Sequence, residues 1–229
     1  MTERTAIVTG AGQGFGLSLT AALAARGWTV VGCARDADRL RAATAGLPGV
    51  LALPGDVTDA AFRGALVDAA GGRLDLLVHN AGELGPSPLP TLATYPVDAL
   101  RAVLETTLVA PLALTQLALP LLRAAPAGTV ITLSSDAAVE AYPGWGGYGA
   151  AKAALDQLAA VLAVEEPTLR VHAVDPGDMR TAMHQRAFPD EDISDRPLPA
   201  TVVPAFLRLL EERPPSGRIR AAELLAVRS

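Results

Sequence analysis

Short apolar runs alternate with longer stretches of helical period along most of the chain, and this alternation leaves few folds open. Strands are expected at residues 5–9, 29–33, 50–54, 74–79, 129–134 and 170–174. Helices are expected near 16–26, 37–43, 59–69, 97–123 and 148–165. Several strands are apolar at consecutive positions, as strands covered on both faces are. Repeated strand–helix–strand order implies right-handed crossovers and a parallel sheet, so the chain reads as α/β. No repeat or linker divides the 229 residues, which are expected to form one domain, 1–229. Half the residues are hydrophobic but only 4% are aromatic. Small aliphatic side chains in that proportion suit close packing of helices on a sheet. Residues 188–204 are rich in Pro, Asp and Glu and read as a loop, either a lid or a solvated connection, before a last helix near 205–212.

Charge and cysteine content exclude several classes. A net charge of −5 with no run of like charges argues against nucleic acid as a partner. Cys33 is the one cysteine, so no internal disulfide forms, and no His/Cys/Asp cluster has metal spacing. The segment Met1-Thr-Glu-Arg leads straight into an apolar strand, without a signal segment. The most apolar stretch, 108–122, is broken by Pro111, Gln116 and Pro120, whereas a spanning helix needs ~20 mostly apolar residues. No membrane segment is read, and a cytoplasmic setting is expected.

The first strand ends in Thr9-Gly10-Ala11-Gly12-Gln13-Gly14-Phe15-Gly16, and a helix follows. Glycines there let the backbone approach a pyrophosphate, and the helix N-terminus offers unpaired N–H groups to it. The second strand runs into Arg35 and Asp36. At the end of that strand in dinucleotide folds an acid accepts from a ribose 2′-hydroxyl, and an Arg suits a 2′-phosphate. Arg35 therefore favours NADP(H), while Asp36 leaves NAD(H) open.

Tyr148 and Lys152 stand four apart, on one face of a helix. An ammonium beside a phenol is expected to lower its pKa from about 10, so that it can exchange a proton with a carbonyl or alcohol oxygen. Ser135 ends a strand 13 residues before Tyr148 and could hydrogen-bond the same oxygen. His172 reads as a structural residue of its strand, and His184 as either lining a pocket or facing solvent. No Gly-x-Ser-x-Gly elbow supports a hydrolase.

Together these residues resemble the short-chain dehydrogenase/reductase family over about 5–181. The family's Thr-Gly-x-x-x-Gly-x-Gly is Thr9 to Gly16, and its Asn-Ala-Gly is Asn80-Ala81-Gly82. Its Asp-Val pair near adenine is Asp56-Val57. Its Pro-Gly and following threonine at the nicotinamide end are Pro176-Gly177 and Thr181. The resemblance implies a Rossmann-like, doubly wound, mostly parallel sheet of six or seven strands flanked by helices. A seventh strand at 216–220 is short, and the C-terminal tail is unlike the family's glycine-rich ending. The resemblance also implies roles: Tyr148 as acid/base, Ser135 orienting the substrate oxygen, and Lys152 holding the nicotinamide ribose and tuning Tyr148. Gly10, Gln13, Gly14, Phe15, Gly16 and Arg35 would contact the cofactor, along with the later motifs. Thr107 stands where the family often has an asparagine that supports a water in a proton relay. Gln13 stands where many NADP-preferring members have a basic residue. The implied substrate is a small carbonyl compound or alcohol, with specificity in 136–147, 83–90 and 178–199, and the implied assembly is a homodimer or homotetramer. A second reading, a dinucleotide-binding sensor or scaffold with little catalysis, rests on Thr107 and the unusual tail.

Overall fold

The computed structural model describes residues 4–226. The first three residues, read above for a leader, and the last three of the tail lie outside the described residues. Seven strands form one parallel sheet in the order β3-β2-β1-β4-β5-β6-β7. They are β1 (Arg4–Thr9), β2 (Trp28–Ala34), β3 (Val50–Pro54), β4 (Leu76–His79), β5 (Thr129–Leu133), β6 (Arg170–Asp175) and β7 (Gly217–Arg220). The order reverses between β1 and β4, and the strand ends flanking that point open the crevice where doubly wound sheets bind ligands. The short 216–220 segment does form β7, and it pairs with β6.

Alternate residues of each central strand feed two cores. Ala6, Val8, Leu76, Val78 and Val174 pack on the face covered by α1 (Gly14–Ala24) and α8 (Pro199–Glu212). Ile7, Val31, Leu77, Val130 and Val171 pack against α3 (Ala60–Asp68), α5 (Ala110–Ala124) and α6 (Gly146–Glu165). The other helices are α2 (Ala37–Thr44), α4 (Val97–Leu104), α7 (Ala182–Ala187) and α9 (Ala221–Ala226).

Three expectations need correction. The helix expected over 97–123 is α4 and α5 joined by a π-helical turn, Glu105–Val109. Its run Val97–Ala124 has the length and apolarity of a membrane-crossing helix, yet Leu114, Ala118 and Leu122 are buried against the sheet. The last long helix begins at Pro199 instead of 205, because proline is well placed in a first helical turn. Helix α6 begins at Gly146, two residues before Tyr148.

Candidate active site

Gly10 turns the chain out of β1 in a left-handed conformation, φ 71°. A Cβ on Gly16 would lie 2.3 Å from the Gly10 carbonyl oxygen, so the loop closes this tightly only around glycine. Asn80 locks it from the side: its Nδ2 donates to Thr9 O (2.8 Å) and Gly10 O (3.2 Å). The Thr9 hydroxyl accepts from the N–H groups of Asn80 and Ala81, both at 3.0 Å. At the N-cap of α1, Gln13 makes no capping hydrogen bond, so the first-turn N–H groups stay open to an anion.

A cleft of about 440 Å³ runs from this loop along the strand ends. Every residue assigned to a cofactor from sequence stands on its wall except two. Gly16 is packed behind the loop, and Gly177 lines a second cavity. At one end of the cleft Asp36 caps α2, accepting from Arg39 N at 3.0 Å, and pairs with the Arg39 guanidinium at 3.3 Å. Arg39 also donates to Gln13 Oε1 at 2.8 Å. Sequence reading missed Arg39, although it stands one helical turn after Arg35. The Arg35 side chain is 67% exposed and lies 3.6 Å from Glu83.

At the other end β5 delivers Ser134 and Ser135, and α6 presents Tyr148 and Lys152. Lys152 is buried, donates to Leu133 O at 2.5 Å and lies 5.5 Å from the Tyr148 ring centre. Burial pushes its pKa down to about 8, with Asp156 and Asp175 opposing. The expected lowering of the Tyr148 pKa is not found: burial pushes the phenol above its ordinary value, and Asp136 and Asp175 add to the rise. A hydrogen bond with Ser135 opposes them. The four-residue spacing is compatible with an ammonium turned to the Leu133 carbonyl, and spacing carries no information about desolvation.

Thr107 lies in neither cavity. It is fully buried in the π-helical turn, and its hydroxyl accepts from Glu83 N at 3.4 Å. A Cβ on Gly82 would stand 3.9 Å from both Thr107 Oγ1 and Lys152 Nζ, so these two side chains close in behind Gly82. The preceding Thr106, which the sequence did not single out, lines the cleft. π-turns are rare and concentrate at functional sites.

The second cavity, about 420 Å³, meets the cleft at Tyr148. Ser135 is on its wall, with Leu84, Tyr142, Trp145, Met179, His184 and Phe188. Each of the three stretches assigned to specificity supplies some of these residues. His184 lines the cavity with a side chain only 10% exposed, so it does not face solvent. It belongs to α7, a helix not expected from sequence, which Thr181 caps by accepting from His184 N at 3.1 Å. Arg186 ties α7 across to the loop after β4, donating to Gly85 O at 3.0 Å, while Ser87 donates to Arg186 O at 2.6 Å.

Comparison with known proteins agrees with this geometry. The profile of the short chain dehydrogenase family matches residues 4–192. An Escherichia coli K12 oxidoreductase, YciK, is 38% identical over 139 residues, 60% of this chain and 54% of the relative. The chain thus spans about half the length of that curated relative. A Shigella flexneri short-chain dehydrogenase complexed with NADP superposes with TM-score 0.88 at 30% identity, covering 97% of this chain and 98% of that one. One from Escherichia coli CFT073 complexed with NADPH gives 0.86 at 31%, covering 96% and 97%. Fold, motifs and relatives agree that the chain belongs to the short-chain dehydrogenase family, oxidoreductases that bind a nicotinamide dinucleotide.

Proposed function

We propose that the protein moves a hydride reversibly between NADP(H) and a carbonyl compound or secondary alcohol. One observation carries this reading: Tyr148 stands on the walls of both cavities, with Lys152 on the cleft side and Ser135 on the other. The tight glycine loop and the uncapped start of α1 suit a pyrophosphate, and Lys152 is placed for ribose hydroxyls. Pro176, Gly177 and Thr181 would hold the nicotinamide end and Asp56 and Val57 the adenine, and a bound nicotinamide would supply or accept the hydride. Ser135 orients the substrate oxygen. Tyr148 gives that oxygen a proton in reduction and takes one in oxidation, and its raised pKa keeps the phenol protonated for reduction at neutral pH. Thr107, packed behind Gly82 near Lys152, is the relay member in place of the family's asparagine.

NADP(H) is favoured over NAD(H) because Asp36 is committed to capping α2 and pairing with Arg39, while Arg35 and Arg39 both reach the cleft rim. Two solved relatives hold NADP or NADPH. Tyr148→Phe is expected to lower NADPH-dependent turnover of a ketone and aldehyde panel by about 10²–10⁴-fold. Full turnover in that variant overturns the reading. Tight NADPH binding with no oxidation by the wild type returns the sensor or scaffold reading.

Self-association belongs to the same reading. Val109, Leu112 and Leu117 on one helical run and Val161 and Val164 on α6 are exposed apolar side chains at helical spacing. Light scattering should give a dimer or tetramer, and Leu117→Glu with Val164→Glu a monomer.

A further inference from the structure

The second cavity is built for one kind of substrate, an inference that rests on the hydride-transfer reading above. The chain has only nine aromatic residues, and four of them, Tyr142, Trp145, Tyr148 and Phe188, line this one cavity. The Trp145 ring centre lies 5.6 Å from that of Tyr148 and 5.9 Å from that of Phe188. Among the described residues no arginine or lysine stands on the wall; its charged groups are Asp136, Asp175 and Asp178.

The three carboxylates differ in their partners. Asp175 is buried and paired with Arg218 at 3.2 Å. Asp178 has Arg196 and His184 each at 3.8 Å. Among the described residues the donors to Asp136 are neutral: Ser135 Oγ at 2.9 Å, Ala137 N at 2.7 Å and Tyr142 Oη at 3.3 Å. The single Tyr142 proton goes to Glu140 at 2.7 Å, so the exposed Asp136 can take a further donor at Oδ2 from the cavity. Independently, His184 lines the same cavity with a side chain only 10% exposed, and its buried Nε2 has no hydrogen-bond partner among the described residues. Ring faces, a carboxylate with no cation beside it among the described residues and an unpartnered imidazole nitrogen all suit a group that is cationic and rich in N–H donors.

We propose that the substrate is an amino alcohol, or the matching amino ketone, whose ammonium is held by Asp136 among the aromatic rings while Ser135 and Tyr148 hold its oxygen. Geometry sets the distance between the two groups. Asp136 Oδ1 lies 2.9 Å from Ser135 Oγ, so nitrogen and oxygen sit on adjacent or next-but-one carbons. An ammonium that spans both Asp136 oxygens takes the place of the Ser135 proton on Oδ1, and that proton turns toward the substrate oxygen. In oxidation the carbinol C–H pair would leave as hydride to oxidised nicotinamide, and the hydroxyl proton would pass to Tyr148 in its phenolate form. The C=O bond forms and the amine keeps its proton.

The test compares 2-amino-1-phenylethanol, 1-phenyl-1,2-ethanediol and mandelate, three phenyl carbinols that differ in the charge beside the reacting carbon. Binding is read by calorimetry and turnover by reduction of NADP⁺ or NAD⁺. The ammonium compound should surpass the diol by about tenfold in both, the equivalent of about 1.4 kcal/mol, with mandelate weakest. Asp136→Asn should erase most of that ratio and Asp136→Glu should restore part of it. A diol equal to the ammonium compound in both readouts overturns the inference and leaves hydride transfer standing. Ammonium-selective binding with no turnover supports the ammonium site and overturns hydride transfer.

Discussion

At pH 7 the buried ammonium of Lys152 and the phenol of Tyr148 both carry their protons, and raising the pH removes them in a fixed order. Lys152 goes first, because burial has brought it down to about 8, while burial and nearby aspartates hold Tyr148 above its ordinary value. Ketone reduction uses a protonated phenol and an ammonium near the ribose. Its kcat/KM should therefore be level below pH 7.5 and fall as pH rises through about 8. Alcohol oxidation, which needs the Tyr148 phenolate to accept a proton, should still be rising there. The check is the pair of pH–rate profiles measured on one enzyme preparation; a reduction rate level to pH 10 contradicts the assignment. Asp136 enters the same balance, since its charge raises the Tyr148 pKa and its carboxylate holds the Ser135 hydroxyl. None of this is visible in a four-residue spacing, which reports proximity and omits desolvation.

Elements whose sequence pattern follows directly from burial were legible in advance. Strand 50–54 coincides with β3, and β1 contains the whole run 5–9 with Arg4 added, because strands with helices on both faces show themselves as unbroken apolar runs. The glycine loop was legible because its residue types answer to backbone geometry alone. Less legible were α8, α7 and the π-turn, which depend on contacts distant in sequence. Pro199 and Pro204 read as breakers, yet Val202, Val203, Phe206 and Leu209 bury enough apolar surface to hold the helix across them. Pro204 itself is exposed and sits past the first turn, where its ring crowds the preceding turn and it cannot donate to the Ala200 carbonyl. Pro204→Ala supplies that donor and should stabilise the protein by about 1–3 kcal/mol. Thermal unfolding should show a rise of several degrees, with no change in KM for the cofactor; a lower Tm would mean that the proline ring packs usefully.

Across the whole molecule, two neutral histidines buried in the sheet couple folding to acid. His79, at the end of β4, is pushed down to about 3 by burial, and its Nε2 is bonded to the Thr115 hydroxyl at 2.8 Å. His172, in β6, is pushed down to about 4 by burial and by Arg170 and Arg213, and neither ring nitrogen has a partner among the described residues. The sign follows from comparing the two states. Below about pH 6.5 the unfolded chain takes up a proton at each histidine while the fold keeps both neutral, so stability falls with pH by up to about 1.4 kcal/mol per unit for each. The loss continues to about pH 4 for His172 and about pH 3 for His79, and above pH 6.5 it is absent. His172→Leu should remove about half of the slope. It should also stabilise the fold above pH 6.5, because it replaces two buried, unbonded polar atoms with apolar ones of similar bulk. His79→Leu should flatten the slope too, but at the cost of leaving the Thr115 hydroxyl without its partner, so it should lower stability at pH 7. Urea unfolding of the two variants between pH 4.5 and 7.5 separates these outcomes. Parallel curves for wild type and both variants would place the acid sensitivity in the carboxylates instead.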